Sequence, residues 1–394
     1  MITIFHIILL LMTTYCGLSI VYYFIFAGAS VLPSKEMKHT TKKFARIAVF
    51  IPGYKEDGII LPVVKDALWQ SYPATQYDVI VIADSFEQNT LDQLGQLPVK
   101  VIEVSFEKST KAKSLNHAMR ILGNAYDIAV VLDADNMMED NFLSLVNQAY
   151  QAGHQSMQGH RTAKNMDTPF ARMDALSEEI NNSIFRQGHT NLGLSSALIG
   201  SGMAFDYKLY KRLMAGIDVV SGFDKELEIA LLKNNIHTCY LRDALVYDEK
   251  VQSAAIFEKQ RTRWLAAQVN FALKYSMFGL KQILLSGRLD LFNKVLQFTL
   301  LPRAFAIALT CSLSLIAWAM DFKALLNTNL VLTVIIVLAM VMSIPRRFYN
   351  RQLITAIIKI PVGVFNMGKS LIKIGKARHQ FLHTPHTAFT NKLS

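Results

Sequence analysis

The stretch DIAVVLDAD, residues 127–135, predicts a buried β-strand followed by two acidic side chains. The short apolar run from Ala129 to Leu132 is typical of a strand covered on both faces, and Asp133 and Asp135 come directly after it. Two carboxylates beside a buried strand are unfavourable unless a positive group neutralises them. An Asp-x-Asp pair alone is a weak signal, because a solvated loop can carry one by chance. Its position at the end of a strand is therefore the informative feature.

Strands and helices alternate through the first half of the chain, which predicts an α/β fold. The other predicted strands are RIAVFIP (46–52), DVIVIAD (78–84) and VKVIEVS (99–105), with helices over 58–71, 111–123 and 139–152. Such alternation is typical of a mainly parallel, Rossmann-like sheet with helices on both faces. Ligands of these sheets bind beyond the carboxyl ends of the strands. We therefore expect Asp84, Asp133 and Asp135 to line one site.

Three uncharged runs predict membrane-spanning helices. The chain has 394 residues, of which 52% are hydrophobic. Residues 1–34, 304–320 and 324–345 contain no Lys, Arg, Asp or Glu. Each run approaches the ~20 residues that an α-helix needs to cross about 30 Å of hydrocarbon. The first run lacks the basic start and the small-residue cleavage site of a signal peptide, which favours an uncleaved anchor.

The net charge of +11 and the position of the basic residues predict the orientation in the membrane. Basic residues follow the first and last runs, namely Lys35, Lys38, Lys42, Lys43, Arg46, Arg346, Arg347 and Arg351. By the positive-inside rule, the N-terminus lies outside, and residues 35 to about 300 and the tail are cytoplasmic. The excess charge then predicts contact with anionic membrane lipids and no nucleic-acid partner. The three cysteines have no spacing that suggests a metal site or disulfides.

Two apolar segments with interspersed basic residues predict helices that lie in the membrane interface. Residues 253–285 place Phe, Trp, Leu and Val at helical spacing, and residues 352–374 are similar but contain Pro361. Both segments fit amphipathic helices with the apolar face toward the lipid. The second could instead be a fourth span, which would place the tail outside. Its lysines and its proline favour the interface.

Four side chains are candidates for binding a metal ion and phosphate. Carboxylates such as Asp133 and Asp135 suit Mg²⁺ or Mn²⁺, which bind through one or two carboxylates and substrate phosphates. Lys111 and Lys113 open a helix whose N-terminus would attract phosphate. The alternative for these two lysines is a plain surface helix.

Three later motifs add a loop, two acids and an aromatic side chain. In GSGMAF (200–205) the glycines let the backbone approach a ligand closely. GFDKELEIAL (222–231) places Asp224 and Glu226 at a helix start, where N-terminal capping is the alternative to catalysis. QRTRW (260–264) combines arginines, which suit phosphate, with Trp264. That tryptophan can stack on a sugar ring or anchor the helix in the interface.

The order of these motifs resembles the membrane-embedded family 2 glycosyltransferases, the group that contains cellulose, hyaluronan and poly-N-acetylglucosamine synthases. The resemblance covers residues 45 to 385. VFIPGYKED (49–57) is similar to the family's Pro-x-Tyr-Asn-Glu opening, with Lys55 in place of Asn. KAKSLNHAM (111–119) matches its Lys-Ala-x-x-Leu-Asn segment, QRTRW its Gln-x-x-Arg-Trp signature, and FLHTPHT (381–387) its tail.

The resemblance implies a GT-A-like domain that binds a UDP-sugar, with Asp84 at the uracil and ribose. The implied nucleotide-sugar residues are Pro52, Tyr54, Glu56, Asp84, Lys111, Lys113, Asp133 and Arg263; the acceptor residues are Gly200, Ser201, Gly202, Gln260 and Trp264; and the metal ligands are Asp135 and Asp133. The family's general base is the Asp of Thr-Glu-Asp, where this chain has Asp-Lys-Glu. Alignment on the following Leu-Glu-Ile makes Glu226 the counterpart, with Asp224 as the alternative.

The expected organisation is an N-terminal transmembrane helix (1–34), a cytoplasmic glycosyltransferase domain (40–250), interface helices carrying QRTRW (251–292), two transmembrane helices (293–345), and an interface helix with a cytoplasmic tail (346–394). The resemblance implies inverting, processive transfer of a hexose or N-acetylhexosamine to a growing polysaccharide. Because three spans are few for a polymer pore, a homo-oligomer or an accessory subunit is a further expectation. The alternatives are transfer of one sugar to a lipid carrier, and a non-catalytic membrane scaffold.

Overall fold

The computed structural model describes residues 2–33, 42–219 and 222–350, together with Leu353, Ile358 and Gly368. In chain order the helices are α1 (Ile2–Ser30), α2 (Ile60–Ala67), α3 (Gln88–Gly95), α4 (Lys111–Ile121), α5 (Phe142–Gln151), α6 (Pro169–Asn181), α7 (Gly188–Asn191), α8 (Tyr207–Met214), α9 (Phe223–Lys233), α10 (Ala254–Ser286), α11 (Leu289–Thr299), α12 (Arg303–Ala319) and α13 (Lys323–Ser343). The strands are β1 (Ile47–Tyr54), β2 (Tyr77–Asp84), β3 (Lys100–Val104), β4 (Ile128–Val131), β5 (Met137–Met138), β6 (Ser156–Ala163), β7 (Met203–Asp206) and β8 (Cys239–Asp248). A π-helical stretch, Asn182–Gln187, joins α6 to α7.

The chain forms two compact units. The helical unit consists of Met1–Ser34, Thr168–Gly193 and Ser253–Ile374, and the sheet unit consists of Lys35–Asp167, Leu194–Gln252 and Gly375–Ser394. The predicted domain 40–250 includes residues 168–193, which fall in the helical unit.

The sheet unit contains one eight-stranded sheet in the order β3-β2-β1-β4-β7-β6-β8-β5. β1 is parallel to β2 and β4, β2 is parallel to β3, and β6 is parallel to β8. β7 is antiparallel to both β4 and β6, and β5 is antiparallel to β8. The predicted α/β, GT-A-like fold is confirmed. The sheet is mixed, because β7 inserts an antiparallel strand between two parallel parts.

Helices cover both faces of the sheet, which explains the continuous apolar runs of the central strands. Val49 of β1 belongs to one buried cluster together with Val63 of α2. Its neighbour Phe50 belongs to a second cluster, together with Leu115 of α4 and Tyr210 of α8. Alternate residues of one strand therefore pack on opposite faces, so a shift of β1 by one residue would exchange the side chains of the two clusters and disrupt both.

The ends of the central strands place the predicted acidic residues. The strand predicted over 127–135 is shorter in the structure, because β4 ends at Val131. Asp133 and Asp135 lie in the loop beyond it. β1 continues to Tyr54, which pairs with Asp84, the last residue of β2. The carboxyl ends of β1, β2 and β4 thus lie at one edge of the sheet. Helix α3 between β2 and β3 was not predicted.

Among its described residues, the helical unit contains two helices that are long and apolar enough to cross a membrane, Ile4–Ser30 and Lys323–Ser343. α11 and α12 meet at a bend of 62° and would form a third span if the bent pair crosses together. These assignments rest on length and composition. The FLHTPHT segment and the lysines at 35 and 38 lie outside the described residues, as does the segment predicted as an interface helix (352–374) apart from Leu353, Ile358 and Gly368.

Candidate active site

Lys111, the first residue of α4, holds the loop that follows β4. Its ammonium donates to Asp133 Oδ1 at 2.5 Å, to Gly200 O at 2.7 Å and to Leu132 O at 3.2 Å. An ammonium group has three N–H bonds, so each of them has an acceptor here. Lys111 therefore joins a predicted metal ligand to the predicted acceptor loop.

The GSGMAF loop reaches Asp133 because it leads into β7, the antiparallel neighbour of β4. Val131 pairs with Met203, so the residues just before Met203 lie beside those just after Val131. In this register Ser201 Oγ accepts the Asp133 N–H at 2.9 Å. The loop and the strand end are therefore one structural element, although they are some 70 residues apart in sequence.

Gln158 of β6 fixes the other side of the same loop. Its Nε2 donates to Ser201 O at 2.9 Å, and its Oε1 accepts from Ile199 N at 3.0 Å. Gly200 and Gly202 have φ angles of +85° and +61°, which other residues rarely adopt. The backbone conformation of the loop therefore requires glycine at positions 200 and 202. The hydrogen bonds from Gln158 hold that backbone in place.

Asp135 is more buried than Asp133. Asp135 is 7% exposed, and its Oδ1 accepts from Asn136 Nδ2 at 3.2 Å while its Oδ2 accepts from Glu249 N at 3.3 Å. Its backbone carbonyl accepts from Lys164 Nζ at 2.9 Å. The side chain of Asp133 is 39% exposed. Each carboxylate oxygen has two lone pairs, so a carboxylate that accepts a hydrogen bond can also coordinate a cation.

Buried cations lie behind these aspartates. Lys164, Lys250 and Arg161 are all buried. Asp248 forms ion pairs with Lys250 at 2.6 Å and with Arg161 at 3.3 Å. Burial lowers the pKa of Lys164, against the opposing influence of the carboxylates around it. Positive charge from the chain itself therefore lies close to the acids at this edge before any ligand binds.

Asp84 stands at the neighbouring strand end and is buried. Its Oδ1 accepts from Ser85 Oγ at 3.1 Å, whereas its Oδ2 is buried with no hydrogen-bond partner among the described residues. Leaving such an oxygen unpaired is unfavourable by about 1–3 kcal/mol, which a ligand donor would relieve. Ser85 and Lys55, on the adjoining turns, have positive φ angles of 61° and 55°. Backbone strain of this kind is concentrated at functional sites.

The remaining predicted nucleotide-binding residues of the sheet unit lie near this edge. Pro52 and Tyr54 are among the last residues of β1. The backbone carbonyl of Glu56 accepts a hydrogen bond from the first N–H of α2 at 3.1 Å. Lys113 is different, because its ammonium donates to Lys108 O at 3.2 Å, in the loop that precedes α4. Of the two lysines, only Lys111 is brought to the aspartates.

The start of α9 also approaches this edge. The Phe223 ring centroid lies 5.7 Å from the ammonium of Lys111. Asp224 and Glu226 occupy the first turn of the helix, as predicted, and both are half-buried. The two candidate bases therefore come from a helix whose first residue contacts Lys111.

Glu228, one turn further along α9, has a structural role. Its side chain is 2% exposed, and Oε1 accepts from Lys225 Nζ at 2.9 Å and from Leu198 N at 2.6 Å. Lys225 also lies 3.4 Å from Asp224. Glu228 therefore ties α9 to the segment before GSGMAF.

QRTRW belongs to α10, in the helical unit. Gln260, Arg263 and Trp264 are half-buried, and Gln260 Oε1 is buried with no hydrogen-bond partner among the described residues. The guanidinium of Arg261 lies 4.4 Å from the Trp264 ring centroid. Arg261 also pairs with Asp174 of α6 at 2.6 Å.

The donor set at the end of β4 restricts the metal that could bind. Within the described ranges, no group of three or more His, Cys, Asp and Glu side chains is placed to hold a metal ion. Zinc sites need three or four protein ligands, so two carboxylates do not suit them. Magnesium and manganese bind through one or two carboxylates and complete their shells with phosphate and water. Asp133 and Asp135 fit an ion of this kind that binds together with a diphosphate.

Comparison with known proteins identifies the family. The family model described as glycosyltransferase-like family 2 matches residues 45–267, more than half of the chain. The chain belongs to glycosyltransferase-like family 2. A curated relative of this family 2 protein is "Probable glycosyltransferase YdaM" from Bacillus subtilis (strain 168), which is 22% identical over 261 residues. The match covers 62% of this chain and 61% of the relative, so the chain spans about three fifths of that relative's length.

A solved structure has the same fold as this chain. It is the mannosyltransferase PcManGT from Pyrobaculum calidifontis, solved in complex with GDP-Man and Mn²⁺. The TM-score is 0.57 with 16% sequence identity, and the match covers 90% of this chain and 98% of that chain. At this identity the similarity shows the fold.

Four polar residues of the sheet unit were missed in the sequence. Asn136 directly follows the two aspartates, and Glu228 lies one helical turn after Asp224, so both had a local signal. Gln158 and Lys164 had none, because SMQGHRTAK carries no apolar alternation and was not predicted as a strand. Both act through contacts with residues that are distant in sequence.

Proposed function

We propose that this protein is an inverting, membrane-bound glycosyltransferase that transfers a sugar from a UDP-sugar to a growing polysaccharide. One observation carries the proposal, namely that Lys111 connects Asp133 to the Gly200 carbonyl at the same sheet edge as Asp84. β2 and β4 are two strand spacings apart, or ~10 Å, which suits the length of a nucleoside diphosphate. The unpaired oxygen of Asp84 is an acceptor for the N–H or hydroxyl groups of the nucleoside.

The strand-end residues would hold the diphosphate and the leaving group. A divalent ion, Mg²⁺ or Mn²⁺, held by Asp135 with support from Asp133, would neutralise the charge that develops on the leaving UDP. Lys111 places a fixed positive charge beside Asp133, and Arg263 is assigned to the diphosphate by its match to the family motif. Lys164 and the Asn136 amide keep Asp135 in position.

The acceptor would be activated by an acid at the start of α9. Glu226, the counterpart of the family's base, would take the proton from the acceptor hydroxyl as it attacks the anomeric carbon from the face opposite the diphosphate. Asp224 is the alternative base. The held loop Gly200–Gly202, Gln260 and the Trp264 ring would orient the acceptor, which lowers the barrier through positioning.

Membrane attachment would place this chemistry at the cytosolic surface. α1 and α13 are the candidate spans. The exposed side chains of Leu273, Met277 and Leu284 follow helical spacing on α10, beside the exposed Lys281. Such a face suits the interface with anionic lipid. The proposed orientation has the N-terminus outside and the sheet unit in the cytoplasm.

A second candidate function is the transfer of a single sugar to a lipid carrier. It is favoured by the small number of candidate spans, two helices and one bent pair in the described part of the chain. A polysaccharide channel would need further helices from another copy of the chain or from an accessory subunit. A lipid carrier needs only an active site close to the bilayer.

Nucleotide release by the full chain in lipid nanodiscs tests the proposal. The protein would be given a panel of UDP- and GDP-sugars with Mn²⁺, with Mg²⁺ or with EDTA. We expect metal-dependent UDP release that falls at least ~100-fold in Asp135→Ala and is unchanged in Asp243→Ala, which removes an exposed acid of the same unit. Undiminished release by Asp135→Ala would exclude the assigned metal role.

The products and the binding of nucleotide separate the candidate functions. A ladder of long glycans supports processive synthesis, whereas one lipid-linked sugar supports transfer to a carrier. A chain that binds neither UDP nor GDP in the presence of metal would be the non-catalytic scaffold.

A further inference from the structure

Arg261, the first arginine of QRTRW, is the centre of a buried cluster that joins α10 to α6. Its guanidinium lies 4.8 Å from the Phe257 ring centroid and 4.4 Å from the Trp264 ring centroid. It donates to Asp174 Oδ1 at 2.6 Å, and both side chains of this ion pair are about nine-tenths buried, at 11% and 8% exposure. Phe170, one turn before Asp174, packs against Phe257 with ring centroids 6.2 Å apart.

The spacing on both helices explains this arrangement. Phe257, Arg261 and Trp264 follow one another at intervals of four and three residues, so they share one face of α10. Phe170 and Asp174 are four residues apart and share one face of α6. Two helix faces therefore meet through a pair of rings and an ion pair, and the guanidinium between Phe257 and Trp264 is the link.

Trp264 depends on this link for its orientation. A cation over an aromatic face contributes about 0.5–2 kcal/mol, toward the upper end when the pair is desolvated. The ion pair with Asp174 fixes the guanidinium, and the guanidinium in turn covers one part of the Trp264 ring. Trp264 is half-buried, so part of the residue remains accessible. An indole ring held in this way keeps the same orientation before and after a sugar binds.

We propose that Arg261, anchored by Asp174, is a positioning residue that holds the Trp264 ring for stacking against the acceptor sugar. The inference rests on the proposed function, because it needs Trp264 to be the acceptor platform. It differs from the role assigned to Arg263, since Arg261 would act through Trp264 and not on the diphosphate. Loss of Arg261 should weaken the binding of acceptor and leave the binding of UDP unchanged.

The test uses full-length protein in nanodiscs, with Trp69→Phe and Trp318→Phe so that Trp264 is the only tryptophan; both replaced residues are exposed. Cellotetraose and chitotetraose serve as acceptor probes, with the matching UDP-glucose or UDP-N-acetylglucosamine as donor. In this background Arg261→Ala, Arg261→Lys and Asp174→Asn are compared with Lys281→Ala, which removes an exposed cation from the same helix.

For Arg261→Ala we expect a red shift of Trp264 emission and an acceptor KM raised about 10-fold, with kcat within about 2-fold. UDP affinity at saturating Mn²⁺ should be unchanged. Arg261→Lys, which keeps the charge, should restore most of the acceptor affinity, and Asp174→Asn should give an intermediate KM. Lys281→Ala should match the parent.

Two results would overturn the inference. One is an unchanged acceptor KM in both Arg261→Ala and Asp174→Asn while Trp264→Ala raises it, which would leave the proposed function intact. The other is a fall in UDP affinity as large as the fall in acceptor affinity. If the parent protein neither binds nor releases any nucleotide, the proposed function fails, and the inference fails with it.

Discussion

Replacing Lys111 with methionine tests the central contact of the sheet-unit site. The substitution keeps most of the length of the side chain and removes its charge and its three hydrogen bonds, to Asp133, Leu132 and Gly200. The ion pair is partly screened, because its side chains are 21% and 39% exposed. We therefore assign it ~1 kcal/mol. The hydrogen bonds to the two backbone carbonyls contribute about 1 kcal/mol together to the free energy of unfolding, because water replaces part of them in the variant.

The loss of about 2 kcal/mol should lower the melting temperature of the sheet unit by ~4–8 °C. The effects on ligands should have opposite signs. Lys111 competes with any other cation for Asp133, so its removal should tighten the binding of Mn²⁺ alone about 5-fold, equivalent to ~1 kcal/mol. It should weaken the binding of UDP at saturating Mn²⁺, because positive charge beside the diphosphate is lost.

Calorimetric titration with Mn²⁺ alone, and then with UDP in the presence of Mn²⁺, measures both effects. Lys65→Met is the matched control, because Lys65 is exposed on α2 of the same unit. If Lys111→Met weakened Mn²⁺ binding, or left both affinities unchanged, Lys111 would not share Asp133 with the metal and the assigned site would be wrong.

Three further predictions concern the acids of the sheet unit. Glu228→Gln should lower stability by about 2 kcal/mol, because the buried Glu228 carboxylate loses its ion pair with the partly exposed Lys225. Glu226→Gln should abolish transfer with little change in melting temperature. EDTA should stop nucleotide release but shift the melting temperature by less than ~2 °C, because cations of the chain lie beside the aspartates even without the metal ion. A larger shift would mean that the metal ion has a structural role. Burial alone would raise the pKa of Asp78, but bonds from Tyr126 and Lys100 lower it below its ordinary 3.8. An acid whose pKa is lowered by folding stabilises the fold at pH values above its unfolded pKa. The free energy of unfolding of the wild type should therefore exceed that of Asp78→Asn by at most ~1 kcal/mol, constant above pH ~5 and vanishing as the pH falls below 3.8. A difference that persisted in acid would contradict this.

The sequence predicted the parallel part of the sheet because that part follows a local pattern. β1, β2, β3 and β4 are apolar runs separated by helical segments, and the helices cover both of their faces. The strands β6 and β8 were not predicted. They form their parallel pair across a long stretch of chain, and the β6 sequence SMQGHRTA is mostly polar although nearly all of it is buried. Its polar side chains are satisfied by residues that no local window contains.

The candidate site divides in the same way. Asp84, Asp133 and Asp135 were predicted as site residues because each follows an apolar run, and the parallel direction of β1, β2 and β4 places the ends of these strands together. The polar and basic residues that hold these acids and their neighbouring loop in place were not predicted. Lys164 reaches Asp135 from the end of β6, and Gln158 reaches the GSGMAF loop from the middle of that strand. Such contacts depend on how β6 and β7 pair, which no motif states.

These partners change the physical reason for the acidic strand end. A metal ion alone would leave the aspartates unbalanced in every molecule without a bound substrate, since such ions are shared with substrate phosphate. Here Lys111 pairs with Asp133, and Lys164 lies against Asp135, before any ligand binds. The fold can therefore keep two carboxylates at the end of a buried strand whether or not a metal ion and a diphosphate are bound. In the proposed reaction Lys111 would exchange acceptors in each cycle, because the oxygens of the diphosphate would compete with those of Asp133 and Gly200.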